Sequence, residues 1–225
     1  MDKIQIIEKL FSYLLEYSYL LLPVCFLLSK AKKNHIILSL LAYGLVFYFF
    51  LSFYYAVPKE YRKLEQTIYT TLEYSFFAYI FWVNIKQSNL KKIIFLFSIL
   101  FFCFQIIYFF ISQEQRIDSV PVGIETVLIL IYIFIYFHQY FNENRTTYIY
   151  NDPGFWIVVG ILIYLGCNFF FTILANQVSK EYWYLTYIPE IIKNILFAVS
   201  IIIYKNKPSD SKAMKTSNVP FLDMI

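Results

Sequence analysis

The sequence predicts an all-α integral membrane protein, a seven-transmembrane-helix bundle built from three parallel-repeated helical hairpins plus a seventh helix. Three observations predict it. Hydrophobic residues make up 60% of the chain and charged residues only 15%, well outside the range of soluble globular proteins. The apolar runs are close to twenty residues long, the length a helix needs to cross a bilayer, whereas barrel strands would be runs of about ten that alternate in and out. One glutamate also recurs near the start of four of these runs. Glu16, Glu73, Glu125 and Glu190 precede the basic residues Lys30, Lys86, His138 and Lys205 by 14, 13, 13 and 15 positions, about 20 Å of helix in each case. The first two even share the context Leu-Glu-Tyr-Ser, at Leu15–Ser18 and Leu72–Ser75.

Seven spans follow from run length and charged flanks: Leu10–Ser29, His35–Val57, Thr67–Ile85, Ile93–Ser112, Val122–Phe137, Phe155–Ala175 and Trp183–Tyr204. The first run lacks a strong basic leader and a small-residue cleavage site, so it reads as a retained helix and not as a signal peptide. Pro23 and Pro189 lie inside or near the start of spans, where neighbouring helices satisfy the freed carbonyls. Asn151-Asp152-Pro153-Gly154 reads as a turn into the sixth helix, with an acid near its positive end. Residues 1–205 are thus expected to form the transmembrane domain and residues 206–225 a polar cytoplasmic tail. The three cysteines, Cys25, Cys103 and Cys167, fall inside apolar runs without metal spacing and read as small packing residues.

Orientation follows from the basic residues. Eleven of them flank one side, in the first, third and fifth connections and the tail, including Lys30, Lys86, Lys91, Arg145 and Lys205. Seven lie on the other side, diluted by acids such as Glu60, Glu65 and Glu114. The richer side marks the cytoplasm, which places the N-terminus outside and the C-terminus inside a plasma or inner membrane. Trp82 and Trp156 then fall at the inner interface and Trp183 at the outer one. The Asn144-Arg145-Thr146 sequon would lie on the inner side and be inert. The net charge of +4 has its basic residues beside the apolar runs, so it argues for topology and against nucleic-acid binding.

Polar residues three or four apart share a helix face, and grouping them gives one stripe per span, each richest toward the outer side. If the stripes face inward, the bundle holds a polar cavity open to the outside. A carboxylate in hydrocarbon costs at least about 2.5 kcal/mol, so intramembrane acids mark a pathway or site. The candidate ligand-binding residues are Glu16, Glu73, Glu125, Glu190, Lys193, Gln105, Asn168 and Tyr48. One or more of Glu16, Glu73 and Glu125 is expected to hold a proton near neutral pH or to bind a cationic ligand. Glu190 and Lys193, three residues apart, read as a local structural ion pair. Gln105 and Asn168 occupy comparable positions on the returning fourth and sixth helices, and Tyr48 stands at that level on the second.

Catalysis is not expected. No aspartate lies within a span to form a dyad, and His35 and His138 lack further ligands at metal spacing. No glycine-rich phosphate loop is present, and neither a cofactor nor a metal is implied. A retinal-type pigment would need a buried lysine opposed by an acid deep in the third helix. Lys193 is the one lysine within a span, and the sequence reading assigns it no such acid. The expected function is a membrane sensor or signalling protein, with an outward-facing Glu-lined cavity for a small ligand or proton, acting through a cytoplasmic or membrane partner. Segments 138–153 and 206–225 are the expected contacts for that partner. The alternatives are a small proton- or cation-coupled transporter and a structural subunit of a membrane complex.

Overall fold

The computed structural model describes residues 3–29, 34–54, 56–112, 119–142, 149–173 and 184–206. These form seven long helices: α1 (Lys3–Leu28), α2 (His35–Tyr54), α3 (Arg62–Asn84), α4 (Ser88–Ile111), α5 (Ser119–Asn142), α6 (Pro153–Ile173) and α7 (Tyr187–Asn206). Each overlaps one expected span. Several run past the apolar segment: α1 begins at Lys3, α3 at Arg62, and α5 continues to Asn142. The ladder of backbone hydrogen bonds does not stop where the side chains turn polar. Trp183, loop residues 143–148 with the sequon, and tail residues 207–225 lie outside the described residues.

Six of the seven helices are long and apolar enough to cross a membrane, consistent with a helical membrane bundle. The exception is α3. At 23 residues its length of about 35 Å suffices, but Arg62, Lys63, Glu65 and Glu73 lower its hydropathy. Its position accounts for that composition, because α2, α4 and α5 all pack against it. The circuit closes through α5–α6, α6–α7, α7–α1 and α1–α2, with α4 set against α3 and α5.

The interior takes polar side chains along with apolar ones, and large apolar side chains also cover the exterior. The fully buried side chains include Tyr19, Tyr43, Tyr74, Tyr132 and Lys193, while Leu27, Phe53, Phe134 and Phe110 face outward, the last 79% exposed. Hydrocarbon as solvent makes an outward phenylalanine cheap and an outward hydroxyl costly, so the polar groups turn toward one another. Tyr74, for example, hydrogen-bonds Tyr132 at 2.9 Å and Ser98 at 3.2 Å, joining α3, α5 and α4. The cysteines depart from expectation. Cys25 is half-buried, but Cys103 and Cys167 are exposed on the outside of the bundle, because a small apolar side chain is tolerated equally well against lipid.

Local sequence sets several helix ends. Asn34 accepts a hydrogen bond from the Ile36 amide at 2.8 Å and so caps α2. Pro153 occupies the first position of α6, where its missing N–H costs nothing. The expected turn precedes it, with the Asp152 carbonyl accepting from the Phe155 amide at 3.1 Å. Lys63 closes the far end of α4 by donating to the carbonyls of Phe109 at 2.8 Å and Ser112 at 2.5 Å.

Gly44 and Gly160 stand where α2 meets α1 and α6 meets α7. A Cβ on Gly44 would stand 2.9 Å from both the Leu22 Cβ and the Tyr19 carbonyl oxygen of α1, and one on Gly160 would stand 3.4 Å from the Lys193 carbonyl of α7. Backbone oxygens cannot step aside. Gly44→Ala is therefore expected to destabilise the bundle by about 1–3 kcal/mol. Gly166→Ala, which meets nothing within 4 Å, is expected to be neutral or stabilising by up to about 1 kcal/mol. Unfolding of both variants in mixed detergent micelles checks the contrast.

Candidate functional site

The centre of the bundle is a buried ammonium group. Lys193, on α7, is 0% exposed. Its Nζ lies 3.4 Å from Glu73 Oε1 on α3 and 3.8 Å from Glu190 Oε1 on its own helix. It donates to the Tyr43 hydroxyl at 2.6 Å, and Tyr43 in turn donates to Glu73 at 3.4 Å. Tyr164, on α6, donates to the other Glu73 oxygen at 2.9 Å, and its ring centroid is 3.6 Å from the ammonium nitrogen. Glu190 receives Tyr19 from α1 and Tyr69 from α3, the latter at 3.2 Å. Five helices thus place one cation, two carboxylates and four phenols in mutual contact.

The expected local pair is present, with Lys193 Nζ 3.8 Å from Glu190 Oε1. The nearer carboxylate is Glu73, 120 positions away in the chain, which corrects the premise that α3 offers Lys193 no deep acid partner. Each charge would otherwise be unpaired in a medium of low polarity, and hydrogen-bonded pairing across helices is what makes such a group tolerable. Asn194, the next residue, adds a neutral tie by donating to Ser18 of α1 at 2.7 Å.

Directly against this cluster lies a cavity of about 360 Å³. Three carboxylates line it, Glu16 from α1, Glu65 from α3 and Glu190 from α7, and among the described residues no lysine, arginine or histidine does. Leu15, Phe50, Leu51 and Val122 supply apolar wall, and Tyr54, Tyr69 and Tyr187 supply rings with hydroxyls. These residues come from the starting halves of α1, α3, α5 and α7 and the end of α2. That is one end of the bundle. The lining stops at Glu190 and Tyr69 and does not include Lys193.

The eight sequence-selected residues separate into those the fold gathers and those it does not. Glu73, Glu190 and Lys193 form the ion cluster, and Glu16 and Glu190 line the cavity. Glu16 is half-buried and accepts from Ser52 Oγ at 2.9 Å. Glu125, in the second turn of α5, is buried, and its Oε1 has no hydrogen-bond partner among the described residues. It interacts electrostatically with Glu73 and Lys193 and does not line the cavity. Gln105 is buried on α4 with its Nε2 unpartnered. Asn168 is half-buried on α6, and Tyr48 is half-buried against Phe49. Gln105, Asn168 and Tyr48 neither line the cavity nor touch Lys193.

Two participants were missed. Glu65 was read only as an acid diluting the outer flank, although its four-residue spacing to Tyr69 and Glu73 puts all three on one face of α3. Tyr43 sits in an apolar run with only Ser39 at helical spacing beside it, and the fold reveals its place between Lys193 and Glu73.

Among the described residues no group of three or more histidines, cysteines and acids is arranged to hold a metal. Comparison with known proteins finds no matching family model, no similar curated protein and no similar solved structure.

Tyr164→Phe, which leaves a buried Glu73 oxygen without its donor, is expected to lower stability by about 1–3 kcal/mol. Tyr48→Phe, remote from the cluster, is expected to change it by less than about 0.5 kcal/mol. Unfolding midpoints of the two variants decide the point.

Proposed function

We propose that the protein is a membrane sensor or signalling protein whose Glu-lined cavity opens outward and reports occupancy through the ion cluster beneath it. The observation that carries this reading is the double membership of Glu190. It is a wall of the cavity and also the second carboxylate of Lys193. A positive group arriving beside Glu190 competes with the ammonium for that carboxylate. Lys193 then has Glu73 to turn to, and the balance between α7–α7 and α7–α3 contacts shifts. A ligand moves an equilibrium only by the difference in its affinity for the two arrangements, and a shared carboxylate supplies such a difference.

In this reading all seven helices span the membrane, α3 included, with the N-terminus outside and the C-terminus in the cytoplasm. The four acids mark a hairpin repeated three times and begun a fourth time by α7. The signal passes to a cytoplasmic or membrane partner through segments 138–153 and 206–225. Chemistry on a substrate is not part of the proposal.

The transporter alternative requires a polar path that continues inward past Glu190. Aromatic side chains occupy that level instead: Tyr43 packs against Phe77 and Phe197, and Phe77 against Tyr164. This favours a closed floor.

Accessibility separates the readings. With Cys25, Cys103 and Cys167 replaced by serine, the cavity-lining substitution Ser12→Cys is expected to react with a membrane-impermeant thiol reagent from the outer face only. Reaction from both faces would favour the transporter, and reaction from the inner face alone would overturn the proposed orientation.

A further inference from the structure

Resting on the reading of the cavity as a ligand site, we propose that its ligand is a small organic molecule bearing a primary ammonium group, with Glu65 and Glu16 accepting its N–H bonds and an apolar body packed on Phe50, Leu51 and Val122.

The sign of the charge comes first. Among the described residues three carboxylates and no basic side chain line the cavity. The Arg62 guanidinium lies over the ring of Tyr54, 4.3 Å from its centroid. The three carboxylates favour a cation over an anion.

The number of hydrogens on the cation comes next. Glu65 is only 7% exposed, and neither of its side-chain oxygens accepts a hydrogen bond among the described residues, although Arg62 one turn earlier is an electrostatic neighbour. A buried carboxylate left without donors loses the stabilisation that water or a partner would give. A primary ammonium brings three N–H donors to it. A quaternary ammonium brings none and would leave Glu65 as it stands.

Size and wall exclude the simplest cations. A bare proton needs no cavity, and a metal ion calls for six or more oxygens converging at about 2.0–2.6 Å. The described acids form no such group. A space of about 360 Å³ falls at the lower end of small-molecule sites, roughly 300–1,000 Å³. Its apolar side, from Leu15 to Val122, suits a hydrocarbon or aromatic body. Glu190 gives the site its connection to Lys193, so the same ammonium that satisfies Glu65 perturbs the ion cluster.

The test uses the purified full chain in detergent micelles with 2-phenylethylamine and hexylamine as probes. The controls are 2-phenylethanol, hexan-1-ol and trimethyl(2-phenylethyl)ammonium, which keep the body but lose the charge or the N–H donors. The two primary amines are expected to raise the unfolding temperature in a saturable way, and the three controls are not. Glu65→Gln is expected to weaken amine affinity at least about tenfold, which corresponds to about 1.4 kcal/mol. Glu16→Gln provides a second variant should Glu65→Gln not fold, and Gly166→Ala, away from the cavity, should keep the full response. Equal shifts with amines and alcohols, a shift retained in both Gln variants, or no amine shift would overturn the proposal. Loss of the amine response with outward labelling at Ser12→Cys intact removes the ligand class and leaves the cavity reading; loss of both removes both.

Discussion

The ion pair between Lys193 of α7 and Glu73 of α3 is the constraint to which the rest of the bundle conforms. An ammonium ion that is fully buried in a molecule whose outer surface is leucine, isoleucine and phenylalanine has no water to fall back on. Its attraction to a single carboxylate does not by itself repay the loss of hydration. The remaining compensation is visible in the surrounding residues: a second carboxylate at Glu190, the Tyr43 hydroxyl at 2.6 Å and the face of Tyr164. Each phenol serves a carboxylate in turn. Tyr19 and Tyr69 satisfy Glu190, while Tyr43 and Tyr164 satisfy Glu73.

That arrangement explains the composition of α3. Lipid would not tolerate Glu65, Glu73, Tyr69 and Tyr74 on one outward helix, so α3 is packed by three neighbours and its polar residues meet those of α7, α6 and α5. The cavity follows from the same geometry. Above the cluster the helices carry acids that meet no basic side chain among the described lining residues, and the space among them stays open. Below it, phenylalanine and tyrosine rings fill the axis. A polar opening over an aromatic floor, joined by a carboxylate that belongs to both, has the layout of a receptor for a charged ligand more than that of a conduit.

Much of the fold was legible because the signals are local. Runs of apolar residues between lysines mark helices whatever their neighbours, and all seven were located this way. Glu73, Glu190 and Lys193 could be singled out by the cost of charge in hydrocarbon alone. The Glu190–Lys193 contact could be read from its spacing, but the pairing of Lys193 with Glu73 could not. A lysine three positions after a glutamate always offers a helical partner, and nothing in the sequence says that an acid 120 positions earlier lies closer. Gln105, Asn168 and Tyr48 were chosen for matching depth, but depth says nothing of the direction in which a helix face turns, and these three stand apart from the cluster. Glu65 was overlooked for the opposite reason. It precedes the apolar run and so resembles a flanking charge, yet α3 starts earlier and carries it inside.

The most direct test of the central pair is a double-mutant cycle on Glu73 and Lys193, read by reversible unfolding in mixed micelles. If the pair organises the bundle, Lys193→Met leaves two buried carboxylates without their cation and destabilises by about 3–5 kcal/mol, and Glu73→Gln, which leaves Lys193 only the farther Glu190, destabilises by at least about 2 kcal/mol. The double variant, which removes both charges, should then lose less than the sum of the two by at least about 2 kcal/mol. Additive losses would contradict the pairing and leave Lys193 with Glu190 as its principal partner.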